Sequence, residues 1–174
     1  GIPVVSVRYR TQGFIDDGFH RAMRVFAETV GAKERCEEVL NYVEGCREDL
    51  KERTKNVPDE EKPRAYTGAV TFNGRHGFAF TYVNFPAFTS VDAVNVADEF
   101  LESRTKEAAD TAARTGTAYI GSDGFEADLE QIIRWDPDIV FLDPGNMDLV
   151  NDEYRNNPGF FDSLRAVQEG QVYT

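Results

Sequence analysis

The chain has very few of the residues that build covalent cross-links or metal centres. Its 174 residues include two cysteines, two histidines, two methionines and one tryptophan. Cys36 and Cys46 fall in one predicted helix, about 15 Å apart along its axis, which excludes a disulfide between them because bridged Cα atoms lie within about 7 Å. We expect both to be small buried thiols. A site for a bare transition metal needs several His or Cys ligands. Because only His20 and His76 are available, we expect no metal site and no cofactor.

Excess positive charge and long apolar runs are also missing. The chain carries 31 acidic and 19 basic residues, a net charge of −12, and so acidic a surface repels the phosphates of nucleic acids. No run of about 18 apolar residues is present to span a bilayer. The chain contains no Gly-x-Ser-x-Gly elbow, no phosphate-binding loop and no Gly-x-Gly-x-x-Gly, which are motifs of common hydrolases and nucleotide-binding enzymes.

The first third of the chain is predicted to be mainly helical. Residues 2–7 are apolar and β-branched, which predicts a buried strand, and residues 8–13 a loop. Apolar residues at three- and four-residue spacing predict a helix over 15–30, closed by Gly31. A second helix is predicted over 33–54, with a length of about 33 Å. Its apolar face consists of Cys36, Val39, Leu40, Val43, Leu50 and Thr54.

The middle of the chain predicts a hairpin and a further helix. Residues 57–63 form a Pro-containing break, where we place the main boundary. Two apolar runs follow, at 64–72 and 77–83, and the Asn73-Gly74 pair between them is a strong hairpin signal. A helix is predicted over 91–114.

The last third predicts alternating strands and helices. The elements are a strand at 117–120, a turn at 121–124, a helix at 126–135, a strand at 139–142, a loop at 143–146, a helix at 160–169 and a strand at 172–174. Asp136-Pro137 ends the first of these helices. Its inward residues are predicted to be Leu129, Ile132 and Ile133. The uninterrupted apolar strand at 139–142 is typical of a sheet covered on both faces, so the alternation indicates an α/β fold with a parallel, helix-covered sheet.

The order of these residues resembles a known family. Leu129-Glu-Gln-Ile-Ile, Trp135-Asp-Pro-Asp-Ile-Val-Phe and the run Leu164–Tyr173 are similar to the C-terminal lobe of the periplasmic binding proteins that serve iron-siderophore, haem and cobalamin ABC importers. The 33–54 helix resembles the rigid helix that joins the two lobes of those proteins. Tyr66-Thr-Gly-Ala is similar to the opening of their second lobe.

The resemblance implies a truncated class III solute-binding-protein fold, with a Rossmann-like lobe after a long interdomain helix. Residues 1–13 are then the last strand and loop of a missing N-terminal lobe, 14–57 the connecting helices, and 58–174 a C-terminal α/β lobe without its final helices. We therefore expect the chain to be a piece of a longer protein. The charged segment 99–116 has no role in this interpretation.

The same resemblance implies a function. The chain is expected to be a non-enzymatic, monomeric binding component that passes a metal chelate to an ABC transporter permease. It would act in the periplasm or, held by a lipoprotein-type anchor absent from this sequence, on the outer face of the cytoplasmic membrane. A purely structural or interaction lobe remains an alternative.

Candidate ligand-binding residues follow from the topology, because ligands of open α/β sheets bind outside the carboxyl ends of the strands. Those ends are predicted at Arg8–Arg10, Thr71–His76, Gly121–Gly124 and Asp143–Asn146. Arg75 can pair with an anionic chelate and His76 can hydrogen-bond a ligand or bind iron. The alternative is that they are a solvated hairpin tip and a turn residue. The remaining candidates are Tyr9, Arg10, Asn73, Tyr82, Phe85 and Asn146, with Phe88 in the same aromatic wall unless these rings belong to the core.

Two further hypotheses concern acidic residues. In the resembling family, an acidic residue on each lobe pairs with arginines of the permease, and Glu130, or second Glu126, matches by position. The alternative is favourable charge at a helix N-terminus. A hydrolase site built from His76 with Asp123 and Asp143 is the rival hypothesis.

Overall fold

Two helices form the described part of the first unit of the chain. The computed structural model describes residues 4–6, 17–71, 74–115 and 124–174, and the chain divides into two compact units, 1–56 and 57–174. Residues 4–6 are exposed and form no strand. The remainder of the strand and loop predicted over 2–13 lies outside the described residues.

The helices of the first unit have the predicted bounds where these can be compared. Helix α1 is Asp17–Val30 and α2 is Lys33–Thr54, and Gly31 between them has a φ of +72°, which favours glycine. Cys36 is buried in the seam between the helices, together with Ala27 and Leu40. Cys46 is exposed, so its predicted burial is wrong, because the buried residues of α2 do not extend beyond Leu40.

The second unit is built on a parallel sheet, as the alternation of elements predicts. Its strands are β1 (Arg64–Gly68), β3 (Val94–Asn95), β5 (Ile139–Leu142) and β6 (Val172–Tyr173). Their order is β3-β1-β5-β6, and each neighbouring pair is parallel. The α/β fold class is therefore confirmed.

The predicted hairpin around Asn73-Gly74 is wrong. Strand β1 ends at Gly68, and Ala69 follows with a φ of +56°. The strands that pair with β1 in the described residues are β3 and β5, both parallel to it. Strand β2 (Phe80–Tyr82) instead pairs antiparallel with β4 (Gly124–Glu126), in a separate two-stranded sheet. The strand predicted at 117–120 lies outside the described residues.

The helix predicted over 91–114 is confirmed over 101–114, and shorter elements take the place of its first ten residues. Helix α3 is Pro86–Ser90, strand β3 follows, and α4 runs over Leu101–Thr115. Asp92, with a φ of +56°, turns the chain between α3 and β3. The β-branched Val94 and the buried Asn95 then pair with β1, so pairing with the sheet overrides the local helix preference.

The charged segment to which no role was assigned makes specific contacts. The indole N–H of Trp135 donates a hydrogen bond to the Glu99 carboxylate at 2.6 Å. The Arg104 guanidinium lies 5.6 Å from the centre of the Phe125 ring and donates to the carbonyl of Gly124 at 3.2 Å. The beginning of the segment therefore fixes a buried tryptophan and strand β4.

The next helix, α5 (Leu129–Trp135), begins three residues later than predicted. The Asp128 side chain accepts hydrogen bonds from the backbone N–H groups of Glu130 and Gln131, which places the N-cap there. Ile132 is fully buried as predicted, but Leu129 and Ile133 are exposed. The helix ends as predicted at Asp136, in a left-handed conformation before Pro137.

Three helices follow β5 where one was predicted. They are α6 (Met147–Asn156), α7 (Pro158–Ser163) and α8 (Arg165–Gln168). Between α7 and α8 the buried Leu164 takes an extended conformation, which divides the helix predicted over 160–169. Gly170 then closes α8 with a φ of +69°. Within the described residues, each helix is too short or too polar to span a lipid bilayer.

The core lies against one face of the main sheet. Tyr66 is fully buried at its centre, donates a hydrogen bond to the Phe78 carbonyl at 2.9 Å, and packs against Phe78 and Trp135. On the other face Phe141 is exposed, so the prediction that the 139–142 strand is covered on both faces is wrong in this structure.

Gly68 is the position where this packing is tightest. A Cβ on Gly68 would lie 2.6 Å from the Phe78 carbonyl oxygen and 2.8 Å from a Tyr66 ring carbon. We expect Gly68→Ala to lower the free energy of unfolding by about 1–3 kcal/mol, the usual cost of overpacking a core. Gly159→Ala is the control, since a Cβ there meets nothing within 4 Å, and we expect it to be neutral or stabilising by up to about 1 kcal/mol. Urea unfolding measures both, and equal stability of the two variants would contradict this packing.

Candidate functional site

The loops that follow β1 and β5 meet at the carboxyl edge of the sheet. The backbone N–H and hydroxyl of Thr71 donate hydrogen bonds to Asp143 Oδ2 at 3.2 and 2.7 Å. The N–H of Gly145 donates to Asp143 Oδ1 at 2.8 Å. Both carboxylate oxygens of Asp143 are therefore held by donors from the loops, as expected for strand ends that adjoin in a parallel sheet.

These donors also set the charge state of Asp143. The Thr71 hydroxyl, and after it the Gly145 amide, hold the pKa of this carboxyl below its usual value. An Asp in the unfolded chain has a pKa of about 3.9. Because the folded-state pKa is lower, the ionised carboxylate stabilises the fold fully above the unfolded value, and this contribution is lost as the pH falls through the folded-state pKa.

Arg75 ties the same two loops together. Its Nε donates to Asn146 Oδ1 at 3.1 Å, and its Nη2 donates to the Gly145 carbonyl at 2.9 Å. Nη2 also forms an ion pair with the Asp148 carboxylate. The guanidinium is thus anchored and its side chain is still 50% exposed, which differs from a hairpin-tip charge surrounded only by solvent. We name Thr71, Arg75, Asp143, Asn146 and Asp148 the Arg75 cluster.

Asn146 supports the cluster from within the protein. It is fully buried, and its Nδ2 donates to the Ala69 carbonyl at 2.6 Å and to Thr71 Oγ1 at 3.0 Å. Its Oδ1 accepts the hydrogen bond from Arg75. With no exposed surface, Asn146 orients Arg75 and Thr71 and does not present its own amide to a ligand.

His76 and the residues after it fix the other end of the 74–78 loop. The His76 ring is half-buried and stacks on Phe80 with ring centres 3.8 Å apart. The N–H of Phe78 donates to Glu153 Oε2 of α6 at 2.7 Å. A Cβ on Gly77 would lie 1.7 Å from Glu153 Oε1, so a larger residue there would have to displace this carboxylate.

The predicted aromatic wall divides between core and surface. Tyr82 is buried and packs edge-to-face on Phe80 with ring centres 6.1 Å apart. Phe85 is half-buried and meets Phe88 edge-to-face at 5.0 Å. An apolar groove of about 470 Å³ opens beside these two rings, and its lining includes Phe85, Phe88, Val91, Ile139, Phe141 and Asp143. Because Asp143 lines the groove and also belongs to the Arg75 cluster, a charged site adjoins an apolar one.

A second cavity, of about 440 Å³, contains one of the acidic candidates. Its aromatic side is formed by Phe78, Phe160 and Phe161, and its acidic side by Glu126, Asp128 and Glu153. Glu126 lies in strand β4 and not at a helix start. Glu130 lies in the first turn of α5, and its side chain is 86% exposed.

Several predicted site residues cannot be placed. Tyr9, Arg10, Asn73 and Asp123 lie outside the described residues. Within the described ranges, no group of three or more His, Cys, Asp and Glu side chains is arranged to hold a metal ion. The structure adds Asp148 to the site, and it gives a contact to Thr71, which the sequence had placed at a strand end without a role. The signal for Asp148 was present in the apolar spacing of Met147, Val150 and Tyr154, which marks α6 and places Asp148 in its first turn.

One curated protein shares a stretch of sequence with the chain, while no protein-family model matches it. Over 48 residues, 28% of this chain, it is 42% identical to the Fe(3+)-citrate-binding protein YfmC of Bacillus subtilis (strain 168). The stretch is 15% of that protein's length.

Solved structures share the fold over nearly the whole chain. A periplasmic solute binding protein from Veillonella parvula DSM 2008 has a TM-score of 0.63 at 19% identity, over 99% of this chain and 45% of its own. The structure of an ABC-type Fe3+-hydroxamate transport system from Saccharomonospora viridis DSM 43017 has a TM-score of 0.57 at 21% identity, over 91% of this chain and 47% of its own. The Haemophilus influenzae periplasmic binding protein MolA, bound to molybdate, has a TM-score of 0.60 at 18% identity, over 90% of this chain and 40% of its own. The chain thus spans less than half the length of each, and the resemblance drawn from its sequence is confirmed as a shared fold.

The hydrogen bonds within the Arg75 cluster give a first test of its geometry. Thr71→Val removes the hydroxyl donor and keeps the backbone N–H, so we expect it to raise the pKa of Asp143 and to reduce the stability lost on acidification. Carboxyl ¹³C NMR titration measures this pKa directly. Thr105→Val is the control, because the Thr105 hydroxyl donates to the Leu101 carbonyl and not to a carboxylate. An unchanged Asp143 pKa in Thr71→Val would contradict the hydrogen bond.

Proposed function

We propose that this chain, which has the fold of the periplasmic solute-binding proteins, is a substrate-binding part of an ABC importer for a metal chelate. The observation that carries the proposal is the 42% identical stretch shared with a Fe(3+)-citrate-binding protein, since the structural likeness by itself supports the fold alone. The protein acts outside the cytoplasmic membrane, in the periplasm or on a lipoprotein-type anchor, as a monomer and without enzymatic activity. The hydrolase alternative has no support among the similar proteins named above, which bind or transport solutes.

The Arg75 cluster supplies the chemistry that such a ligand requires. Arg75 is held by the carbonyl of Gly145 and by the buried Asn146, so its guanidinium is pre-oriented at the carboxyl edge of the sheet. A pre-oriented guanidinium binds carboxylate groups of a chelate with little loss of side-chain entropy. The apolar groove beside Asp143 offers surface for the less polar part of the ligand. The metal arrives inside its chelate, and the protein recognises the chelate's outer groups.

The long helix α2 has a role in the same proposal. At 22 residues it corresponds to a rod of about 33 Å, which joins the C-terminal lobe to a second lobe in a complete protein. The ligand is clamped between the two lobes, and a stiff connection limits how far they open. In this proposal the Arg75 cluster forms one side of the binding site.

We expect ferric citrate to bind through Arg75. Arg75→Ala should weaken binding roughly ten-fold or more, because a hydrogen bond to a charged group contributes about 1.5–3 kcal/mol. Isothermal titration calorimetry with ferric citrate measures the affinity. Arg155→Ala is a matched control, since Arg155 is exposed and pairs with Asp152 on α6, and it should leave the affinity unchanged. Equal affinities for wild type and Arg75→Ala would remove Arg75 from the site.

The acidic surface around α5 is the proposed docking site for the permease. Glu130 is exposed in the first turn of α5. Its Oε2 lies 3.9 Å from Nη1 of Arg134, at the limit of an ion pair. Such a weakly engaged carboxylate is available to a permease arginine. Glu126 lines the acidic side of the neighbouring cavity and is the second candidate.

A mutation in this acidic surface should therefore weaken docking to the permease and leave ligand binding unchanged. We expect Glu130→Gln to weaken binding of the protein to its permease in proteoliposomes several-fold, while the affinity for ferric citrate stays that of the wild type. Glu169→Gln removes an exposed charge after α8 and serves as the control for net charge. If Glu130→Gln and Glu169→Gln dock alike, Glu130 has no specific role.

A further inference from the structure

The Arg75–Asp148 ion pair occupies the guanidinium on which the proposed ligand site depends. Of the partners that Arg75 has among the described residues, Asp148 is the one with a negative charge. We propose that Asp148 is a replaceable counter-anion of Arg75, and that a carboxylate of the incoming chelate takes its place. Asp148 then sets the affinity for carboxylate-bearing chelates, because these compete with it for Arg75. This inference rests on the proposed function.

The partners of Arg75 divide into fixed and replaceable ones. The Gly145 carbonyl belongs to the backbone, and Asn146 is fully buried with its amide bonded to Ala69 and Thr71. Neither can leave without opening the loop. The side chain of Asp148 is 63% exposed and can rotate into water at the cost of a single exposed ion pair. Displacing Asp148 therefore frees one edge of the guanidinium, while the other contacts keep it in position.

The position of Asp148 lowers the cost of its release. It is the second residue of α6, where the helix dipole favours a negative charge with or without Arg75. Its pKa is below the usual value chiefly because of the hydrogen bond from Arg75, and the backbone N–H groups at the start of α6 add to the effect. A released Asp148 carboxylate thus keeps stabilising contacts with its own helix.

The charges of the cluster explain why the replacement favours a carboxylate. Besides Asp148, which pairs with the Arg75 guanidinium, the cluster carries the negative charge of Asp143, whose carboxylate accepts hydrogen bonds from Thr71 and Gly145. An anion that approached with both in place would meet net repulsion, whereas a carboxylate that replaces Asp148 reproduces the pairing already present. A neutral chelate gains nothing from this exchange, because it offers no carboxylate to Arg75.

The test compares two chelates and two matched variants. Asp148→Asn removes the charge of the competing group and keeps its size, so we expect ferric citrate to bind about two- to five-fold more tightly, the range of a single exposed ion pair. The affinity for an uncharged ferric trihydroxamate should not change. Asp152→Asn is the control, because it removes one negative charge from the same helix but pairs with Arg155. In the double variant Arg75→Ala/Asp148→Asn the gain should disappear.

The outcomes distinguish this inference from the proposed function. Tighter ferric citrate binding in Asp148→Asn, but not in Asp152→Asn or in the double variant, supports Asp148 as the replaceable counter-anion. Equal affinity of wild type and Asp148→Asn, or an equal gain in Asp152→Asn, overturns the inference and leaves the chelate-binding function standing. If wild type binds neither chelate in calorimetry, the proposed function fails and the inference fails with it.

Discussion

The parallel pairing of β1 with β5 is the constraint on which the second unit depends. Its register, from Ala65 with Ile139 to Gly68 with Leu142, brings the loops after both strands to the same edge of the sheet. One side of the pair carries the core around Tyr66. The register also explains the contacts at the carboxyl end of the pair. It places Thr71 within hydrogen-bond distance of Asp143, and Arg75 within hydrogen-bond distance of the Gly145 carbonyl. A shift of one residue would separate these partners and reverse the faces of the strand.

The fold could be predicted from the sequence where local and long-range preferences agree. Helix α2 has its predicted bounds, and β5 and the stop at Asp136 are also as expected. The secondary-structure prediction failed where the conformation of a segment depends on the distant strand with which it pairs. The Asn73-Gly74 signal is local, and it carries no information about the distant strands with which β1 and β2 pair. The short edge strand β3 has only two residues, too few for periodicity to reveal.

The candidate site was predictable in outline because the topology rule names strand ends without needing side-chain detail. That rule brought Arg75 and Asn146 into one site from positions 71 residues apart. The rule did not distinguish the roles of the two residues. Asn146 is fully buried and orients Arg75, whereas the Arg75 side chain remains accessible to solvent. The part played by Asp148 depends on α6, whose mostly polar sequence gave a weak helix signal. The compared proteins share the fold at 21% identity or less, so the ligand chemistry rests on these contacts and on one stretch of 48 residues.

Binding of a metal chelate at the Arg75 cluster can be observed directly. The most direct measurement is an NMR titration with gallium(III) citrate, a diamagnetic analogue of the ferric chelate, that follows the Arg75 Nε–H group and the backbone amides of Thr71 and Gly145. We expect saturable shifts at these groups, with little change in α7 and α8. Shifts absent from the Arg75 cluster, or confined to another surface, would contradict it.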